Sequence, residues 1–304
     1  MLGQTLDSIS IQREFSDFEV LVIDDRSSDG TREVVRERAL RDPRIKLLLN
    51  ERRQGAAGAR NFGLTHARGE WIAFLDGDDL WEPGNLASKM SAAAIHPDVQ
   101  LISSDYYNEN AANRTLERHE WSDYRQSLRA PWRSLVQPDD GTGEPRLIEA
   151  PVRAFIEHEP IGHSGTFTAR RGLIERAGGF NEELEVGEDI YLWIQLARIA
   201  GRMVYVPTPL MYYRYRPGSL TNQDYPAAAF FATRFFGWLR QAPEYRPYRA
   251  SIDRRLGQSY LRQAYHFRKQ GRHRDAIAAA LAATRYDLSQ GEHWRCLAAA
   301  LTLR

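Results

Sequence analysis

The stretch WIAFLDGDD, residues 71–79, decides the fold. Five apolar residues in a row fit a strand buried on both faces, as in a parallel sheet. The chemistry then changes abruptly. Asp76, Asp78 and Asp79 put three carboxylates within four residues, and they repel one another unless solvent, arginine or a divalent cation compensates. An apolar strand running into an acidic turn is what an open α/β sheet presents at its ligand side, beyond the carboxyl ends of its strands.

Upstream, EVLVI (19–23) is a second apolar run, and it too ends in acids, Asp24 and Asp25. Ser28-Asp29-Gly30-Thr31 supplies turn and N-cap chemistry, after which Val34, Val35 and Arg38 mark a crossover helix. IKLLL (45–49) predicts another strand, residues 55–67 a small-residue loop entering a helix, and Leu2, Leu6 and Ile9 a short amphipathic helix over 2–12. Strands alternating with helices in this way predict a mostly parallel sheet. Downstream, residues 101–104 continue it. Residues 105–150 lose periodicity and gather polar residues, three prolines and Gly141-Thr142-Gly143, which reads as a long surface excursion. Strands are expected at 166–169 and 203–206, a helical turn at 171–177, and a helix at 189–200 with Ile190, Trp193, Ile194 and Ala197 along one side.

The tail reads as helices at 227–239, 249–268 and 275–285, with a last one near 294–303. The expected organisation is an α/β domain over residues 1–225 and an α-helical appendage over 226–304. Gly271, Ala276 and Ala283 stand where a tetratricopeptide repeat has its turn glycine and small packing residues. A plain helical hairpin covering the first domain is the other reading.

Composition agrees. At 304 residues, 42% hydrophobic and 27% charged, the chain suits one sizeable domain with an appendage, and excludes disorder over most of its length. No apolar run reaches the ~18 residues of a membrane span, and the first 30 residues lack the order of a signal peptide. A cytoplasmic protein is expected. The single cysteine, Cys296, supports neither an internal disulfide nor a thiolate zinc site. The net charge of +1 hides an asymmetry: residues 1–239 carry 28 basic and 35 acidic side chains, residues 240–304 carry 13 and 5. Of the 41 basic residues 38 are arginine, which fits codon bias better than nucleic-acid binding.

Three segments carry chemistry. At Asp76–Asp79, Mg²⁺ or Mn²⁺ would take one or two carboxylates and fill its shell with water and phosphates; the alternative is a solvated turn capping the next helix. At DDRSSDGT (24–31), a carboxylate can accept a uracil imide N–H or ribose hydroxyls; the alternative is a capping box. In GAAGARN (55–61), small residues permit close backbone approach and Arg60 supplies a fixed positive fork; the alternative is an ordinary helix start.

Together VIDDRSSDGT (22–31), GAAGARNFGL (55–64) and GEWIAFLDGDDLW (69–81) resemble glycosyltransferase family 2 on its GT-A fold, and the resemblance continues through SGTFTARRGLIERAGGF (164–180), VGEDIYLWIQLA (186–197) and MYYRYRPGSLT (211–221). The resemblance implies nucleotide binding by Asp24, Asp25, Arg60 and Asp76, a Mn²⁺ or Mg²⁺ held by Asp76 and Asp78, and a general base in Glu188-Asp189, with Asp189 favoured. It implies an inverting transfer from a nucleotide-diphosphate sugar, UDP-linked by preference, to a saccharide, lipid-linked or protein hydroxyl in polysaccharide or glycoconjugate synthesis. Arg214 and Arg216 either close over the diphosphate or decorate an edge strand. His163 lines the acceptor pocket or is structural, Trp193 reads as core, and Tyr212, Tyr213 and Tyr215 are undecided. The processive members' Gln-x-x-Arg-Trp string does not follow Asp189, so one transfer per encounter is expected.

One departure stands out. The family's opening strand, of the type V-S-V-I-I-P-x-Y-N, is missing ahead of Leu2. Either the chain starts late or it is a decayed copy, and as it stands poor folding or weak nucleotide binding is expected. The competing function is an inactive nucleotide-binding domain that presents its basic tail to a partner or to the anionic inner face of a membrane. A nucleotidyltransferase is disfavoured, since no glycine-rich, lysine-bearing loop occurs near the N-terminus.

Overall fold

The computed structural model describes residues 1–110, 115–119, 144–149, 152–158, 163–184, 187–215 and 226–286. Arg216, Cys296 and the expected helix near 294–303 lie outside them. The chain forms two compact units, Met1–Phe155 with Glu159–Arg216, and Ile156–His158 with Pro217–Arg304.

In the first unit the apolar spacing of Leu2, Leu6 and Ile9 produces α1 (Leu2–Ser10), with Leu6 and Ile9 buried. There follow β1 (Val20–Asp24), α2 (Thr31–Arg41), β2 (Ile45–Leu49), α3 (Ala56–His66), β3 (Trp71–Ala73), β4 (Leu80–Trp81), α4 (Asn85–Ile95), β5 (Leu101–Asn110), β6 (Thr115–His119), β7 (Arg146–Glu149), α5 (Val152–His158, of which Ile156–His158 belong to the second unit), β8 (Phe167–Arg170), α6 (Arg171–Ala177), α7 (Glu188–Ala200) and β9 (Arg202–Tyr215). Glycine closes α6, where Gly178 adopts φ 85°, the left-handed cap that L side chains avoid.

The fold is α/β, a sheet flanked by helices, but the strand pairing is mixed. β1 and β2 form a parallel pair of their own; β3-β8-β5-β9-β4 form the larger sheet, with β6 on β5 and β7 on β9. Among the described residues only β5–β9 within it runs parallel. Continuous apolar runs signal burial on both faces and carry no information on direction, so the mostly parallel expectation fails in this detail. Among the described residues β1 bonds only to β2, and β3 only to β8. The expected excursion after residue 104 begins as sheet: β5 runs on to Asn110 and β6 folds back on it, Tyr106 opposite His119.

A core of Leu6, Ile9, Val35, Ile45, Trp81, Leu86, Tyr106 and Met211 binds α1, α2, β2 and α4 to the strands. A second core joins α4 to β5 and β9 through Ala92, Ala93, Ile102, Val204, Val206 and Leu210. Each fully buried Leu or Ile contributes about 1.5–3 kcal/mol, and Ala73, Leu75 and Trp81 tie both sides of the acidic turn to the first of these cores.

The second unit contains α8 (Pro226–Gln241), α9 (Arg249–Lys269) and α10 (His273–Thr284). Ala264 and Phe267 pack on Ala276, Ala279 and Ala280, and Gly271 makes the turn at φ 71°. No helix among the described residues is long and apolar enough to cross a membrane.

Candidate active site

Arg60, on the second turn of α3, organises the site. Its Nη2 donates to Asp76 Oδ1 at 2.7 Å and its Nη1 to Glu188 Oε1 at 2.7 Å, joining positions 16 and 128 residues away in sequence. Burial alone would make the guanidinium easier to deprotonate, but the carboxylates of Asp76, Glu188 and Asp189 outweigh it and hold the charge. The Phe180 ring lies 5.3 Å from the guanidinium carbon. Asp76, Arg60, Glu188 and Asp189 thus share one electrostatic neighbourhood.

Asp189 and Glu188 open α7, after Gly187 at φ 81°. The helix N-terminus stabilises both negative charges. Glu188 is buried and committed to Arg60. Asp189 is half-buried, and its Oδ1 accepts the Ile190 N–H at 2.8 Å.

The acidic turn is braced from below. Thr5 on α1 donates to the Gly77 carbonyl at 3.0 Å. Arg214 on β9 donates through Nε to the Asp78 carbonyl, through Nη1 to Gln4 Oε1 at 2.7 Å and through Nη2 to Thr5 Oγ1 at 3.3 Å, while its backbone N–H bonds Asp79 Oδ1 at 3.0 Å. Arg214 was expected over a diphosphate or on an edge strand; its side chain is buried and turned to the back of the turn. Asp79 is buried too, and burial, with the charges of Asp76 and Asp78, pushes its carboxyl up to about 8 against the Arg214 N–H. Arg60 on Asp76 relieves part of the repulsion in the cluster.

At the end of β1, Asp24 is buried and paired with Arg32 Nε at 2.7 Å. Burial would raise its carboxyl, yet hydrogen bonds from Ser27 and Arg32 hold it below the usual range. Asp25 accepts from Asn50 Nδ2 and from the Gly55 N–H, each at 2.7 Å, so it fastens the start of α3, and with it Arg60. Close approach is literal here: a Cβ on Gly58 would stand 1.9 Å from the Arg53 carbonyl oxygen. Asn61 then clamps α3 to the segment before α7, donating to the Phe180 carbonyl and to Glu182, each at 2.8 Å.

Sequence reasoning missed Gln4, Thr5, Asn50 and Asn61. Only Asn61, next to Arg60 in the quoted motif, carried a local signal. Trp193 is core, as expected, buried with an edge contact to Phe167 at 6.4 Å. His163 stacks on Tyr213 at 3.8 Å with Tyr106 edge-on at 4.9 Å, and Tyr107 stacks on Tyr212 at 5.0 Å.

Among the described residues no three His, Cys, Asp or Glu side chains form a ready metal cage. Asp76 and Asp78 are each half-exposed in a turn whose backbone is fixed. That fits an ion which takes one or two protein carboxylates and completes its shell with water and phosphate oxygens.

An α/β sheet with an acidic turn between two strands consecutive in the chain, an arginine across it and a second acidic pair at a helix start defines the GT-A class of fold. The mannosyltransferase PcManGT from Pyrobaculum calidifontis, solved with GDP-Man and Mn²⁺, superposes at a TM-score of 0.59 with 22% identity, covering 100% of this chain and 76% of that one. Residues 1–149 match the family described as glycosyl transferase family 2, and the chain belongs to that family. It is 32% identical over 204 residues to the succinoglycan biosynthesis protein ExoO of Rhizobium meliloti (strain 1021), spanning 67% of this chain and 54% of that protein. It is 30% identical over 225 residues to the GalNAc(5)-diNAcBac-PP-undecaprenol beta-1,3-glucosyltransferase of Campylobacter jejuni subsp. jejuni serotype O:2, spanning 73% and 63%. The chain thus covers less than two thirds of these curated relatives.

Proposed function

We propose that the protein is a metal-dependent, inverting, non-processive glycosyltransferase that moves a sugar from a nucleotide diphosphate, UDP-linked by preference, to a hydroxyl acceptor in polysaccharide or glycoconjugate synthesis. One observation carries this reading: Arg60 bridges Asp76 and Glu188 with Asp189 alongside, so the donor's acidic turn and the candidate base face the same cation. Asp189 Oδ2 takes the proton from the acceptor hydroxyl as that oxygen attacks the anomeric carbon. Glu188, held by Arg60, positions Asp189 and keeps the helix start in place. Asp76 and Asp78 would hold Mn²⁺ or Mg²⁺, which when bound supplies Lewis-acid stabilisation of the departing diphosphate. Asp25, through Gly55, sets the loop against which the nucleotide lies, with Asp24 fixing that strand end from behind.

The acceptor class follows the relatives, whose names include an undecaprenol-linked saccharide. Such an acceptor sits in a membrane, and the basic C-terminal helices would bring the enzyme to its inner face from the cytoplasm. The domain division at residue 225 belongs to the same proposal, with the helical part as the accessory.

The test is nucleotide release from a panel of nucleotide sugars with Mn²⁺. Turnover of one or more donors is expected. Asp78→Ala and Asp189→Asn should each lower it at least ~100-fold, since each removes a group acting at the reacting bonds. Absence of binding to every donor, or full activity in Asp189→Asn, sinks the reading.

A further inference from the structure

We propose that the turn joining α9 to α10 is a docking surface for an anionic lipid bilayer. Residues 226–286 carry twelve arginines and lysines against three acids, and residues 268–275 at this turn hold four of the twelve against one acid. Arg262, Arg268, Lys269 and Arg274 are exposed, and among the described residues none forms an ion pair. Arg272 pairs with Asp275 at 2.7 Å and lies 4.3 Å from the Phe267 ring centre.

Helix stability accounts for half of these charges. Cations in the last turn of α9 offset its negative pole. Arg272, His273 and Arg274 stand at the opposite pole, the start of α10, where a positive charge is unfavourable and only Asp275 helps. A cluster that the fold resists gains its compensation from outside, and an anionic surface provides it at about fivefold in partitioning per arginine or lysine.

The patch also has an anchor suited to an interface. Tyr265 is 47% exposed, with Lys269 Nζ 5.1 Å and the Arg268 guanidinium carbon 5.9 Å from its ring centre. An amphipathic ring flanked by long aliphatic stems with charged ends matches the headgroup boundary, where rings and stems bury and charges stay wet. The surface deepens the membrane part of the reading above and rests on it only for the choice of partner.

The test is sedimentation of the full chain with vesicles of phosphatidylglycerol and phosphatidylcholine, or of phosphatidylcholine alone, across a salt series, with nucleotide release measured in parallel. Binding to the anionic vesicles only, released as salt rises, is expected. The triple variant Arg268→Gln, Lys269→Gln, Arg274→Gln should partition roughly 100-fold less. A control triple, Arg36→Gln, Arg41→Gln, Lys46→Gln, removes equal charge from exposed positions of the first unit and should keep binding.

Equal loss in both triples, equal binding to uncharged vesicles, or tighter retention on a single-stranded oligonucleotide than on the anionic vesicles overturns the proposal. Failure of the unmodified protein to release nucleotide overturns the glycosyltransferase reading instead, and the vesicle result decides this one regardless.

Discussion

At the scale of single residues, Arg60 bonds Asp76 and Glu188 at once, each at 2.7 Å. Arg60, Asp76, Glu188 and Asp189 stand in quotable motifs, but that one guanidinium spans two of them depends on α3 lying across the turn after β3. Arg214 reads as a surface cation among tyrosines, and only its burial beneath the turn shows that it holds Asp78 and Thr5. Gly58 is a sharper case. Any Cβ there collides with the Arg53 carbonyl, so Gly58→Ala should cost about 1–3 kcal/mol in chemical denaturation and weaken nucleotide binding by displacing Arg60. Lys89 went unnoticed because a lysine on a helix is usually solvated. It is fully buried, among the described residues its Nζ has no hydrogen-bond partner, and burial pushes its ammonium down to about 7. Charging it is harder in the folded state, so its effect on stability improves as pH climbs from about 7 towards the ordinary 10.5. Lys89→Met should therefore stabilise by about 1–3 kcal/mol at neutral pH, with the advantage shrinking by pH 10. An advantage independent of pH would show that the amine is not the cause.

At the scale of elements, apolar runs located the strands and helical spacing located the helices, because both depend on burial within a few residues. Direction and length did not follow, since they depend on partners far away: β9 extends to Tyr215 because it pairs with β5 as far as Asn110. The small parallel sheet has a measurable consequence. Val20 and Asp24 face β2, through the Val20 N–H to Arg44 and the Asp24 carbonyl from Asn50, so Leu21 and Ile23 point their N–H groups the other way. Those two amides should exchange with solvent far faster than those of Ile102 and Ser103 in β5, which has β8 and β9 on its sides. Equal protection would mean that β1 has a second partner. Between α2 and β2, Asp42 accepts from Arg44 at 2.8 and 2.9 Å and from Ser10 at 3.0 Å. Hydrogen bonds from Arg44, only partly opposed by burial, pull its carboxyl down to about 2 from 3.8. The stability it contributes is complete above about pH 4 and disappears as pH falls to about 2. Asp42→Asn should cost about 1–3 kcal/mol at pH 7 and flatten the acid limb of the stability curve.

At the scale of the whole molecule, the charge asymmetry visible in the sequence corresponds to two units with separate cores, one around Leu6, Trp81 and Met211 and one around Phe267 and Ala276. Every residue proposed to meet donor or metal belongs to the first unit. On the proposed function, nucleotide diphosphate and Mn²⁺ should stabilise the protein by binding one unit in its folded form. At a ligand concentration 100 times Kd the gain is about 2.7 kcal/mol, which for a domain of this size raises the unfolding temperature by roughly 5–10 °C. Hydrogen exchange should slow in α3, in the Asp76–Asp79 turn and at the start of α7, and stay unchanged in α9 and α10. Asp78→Ala should abolish the part of the shift that needs Mn²⁺, while Arg268→Gln should leave all of it. Protection appearing instead along α9 and α10 would move the nucleotide out of the first unit, and with it the chemistry assigned to Asp76, Asp78 and Asp189.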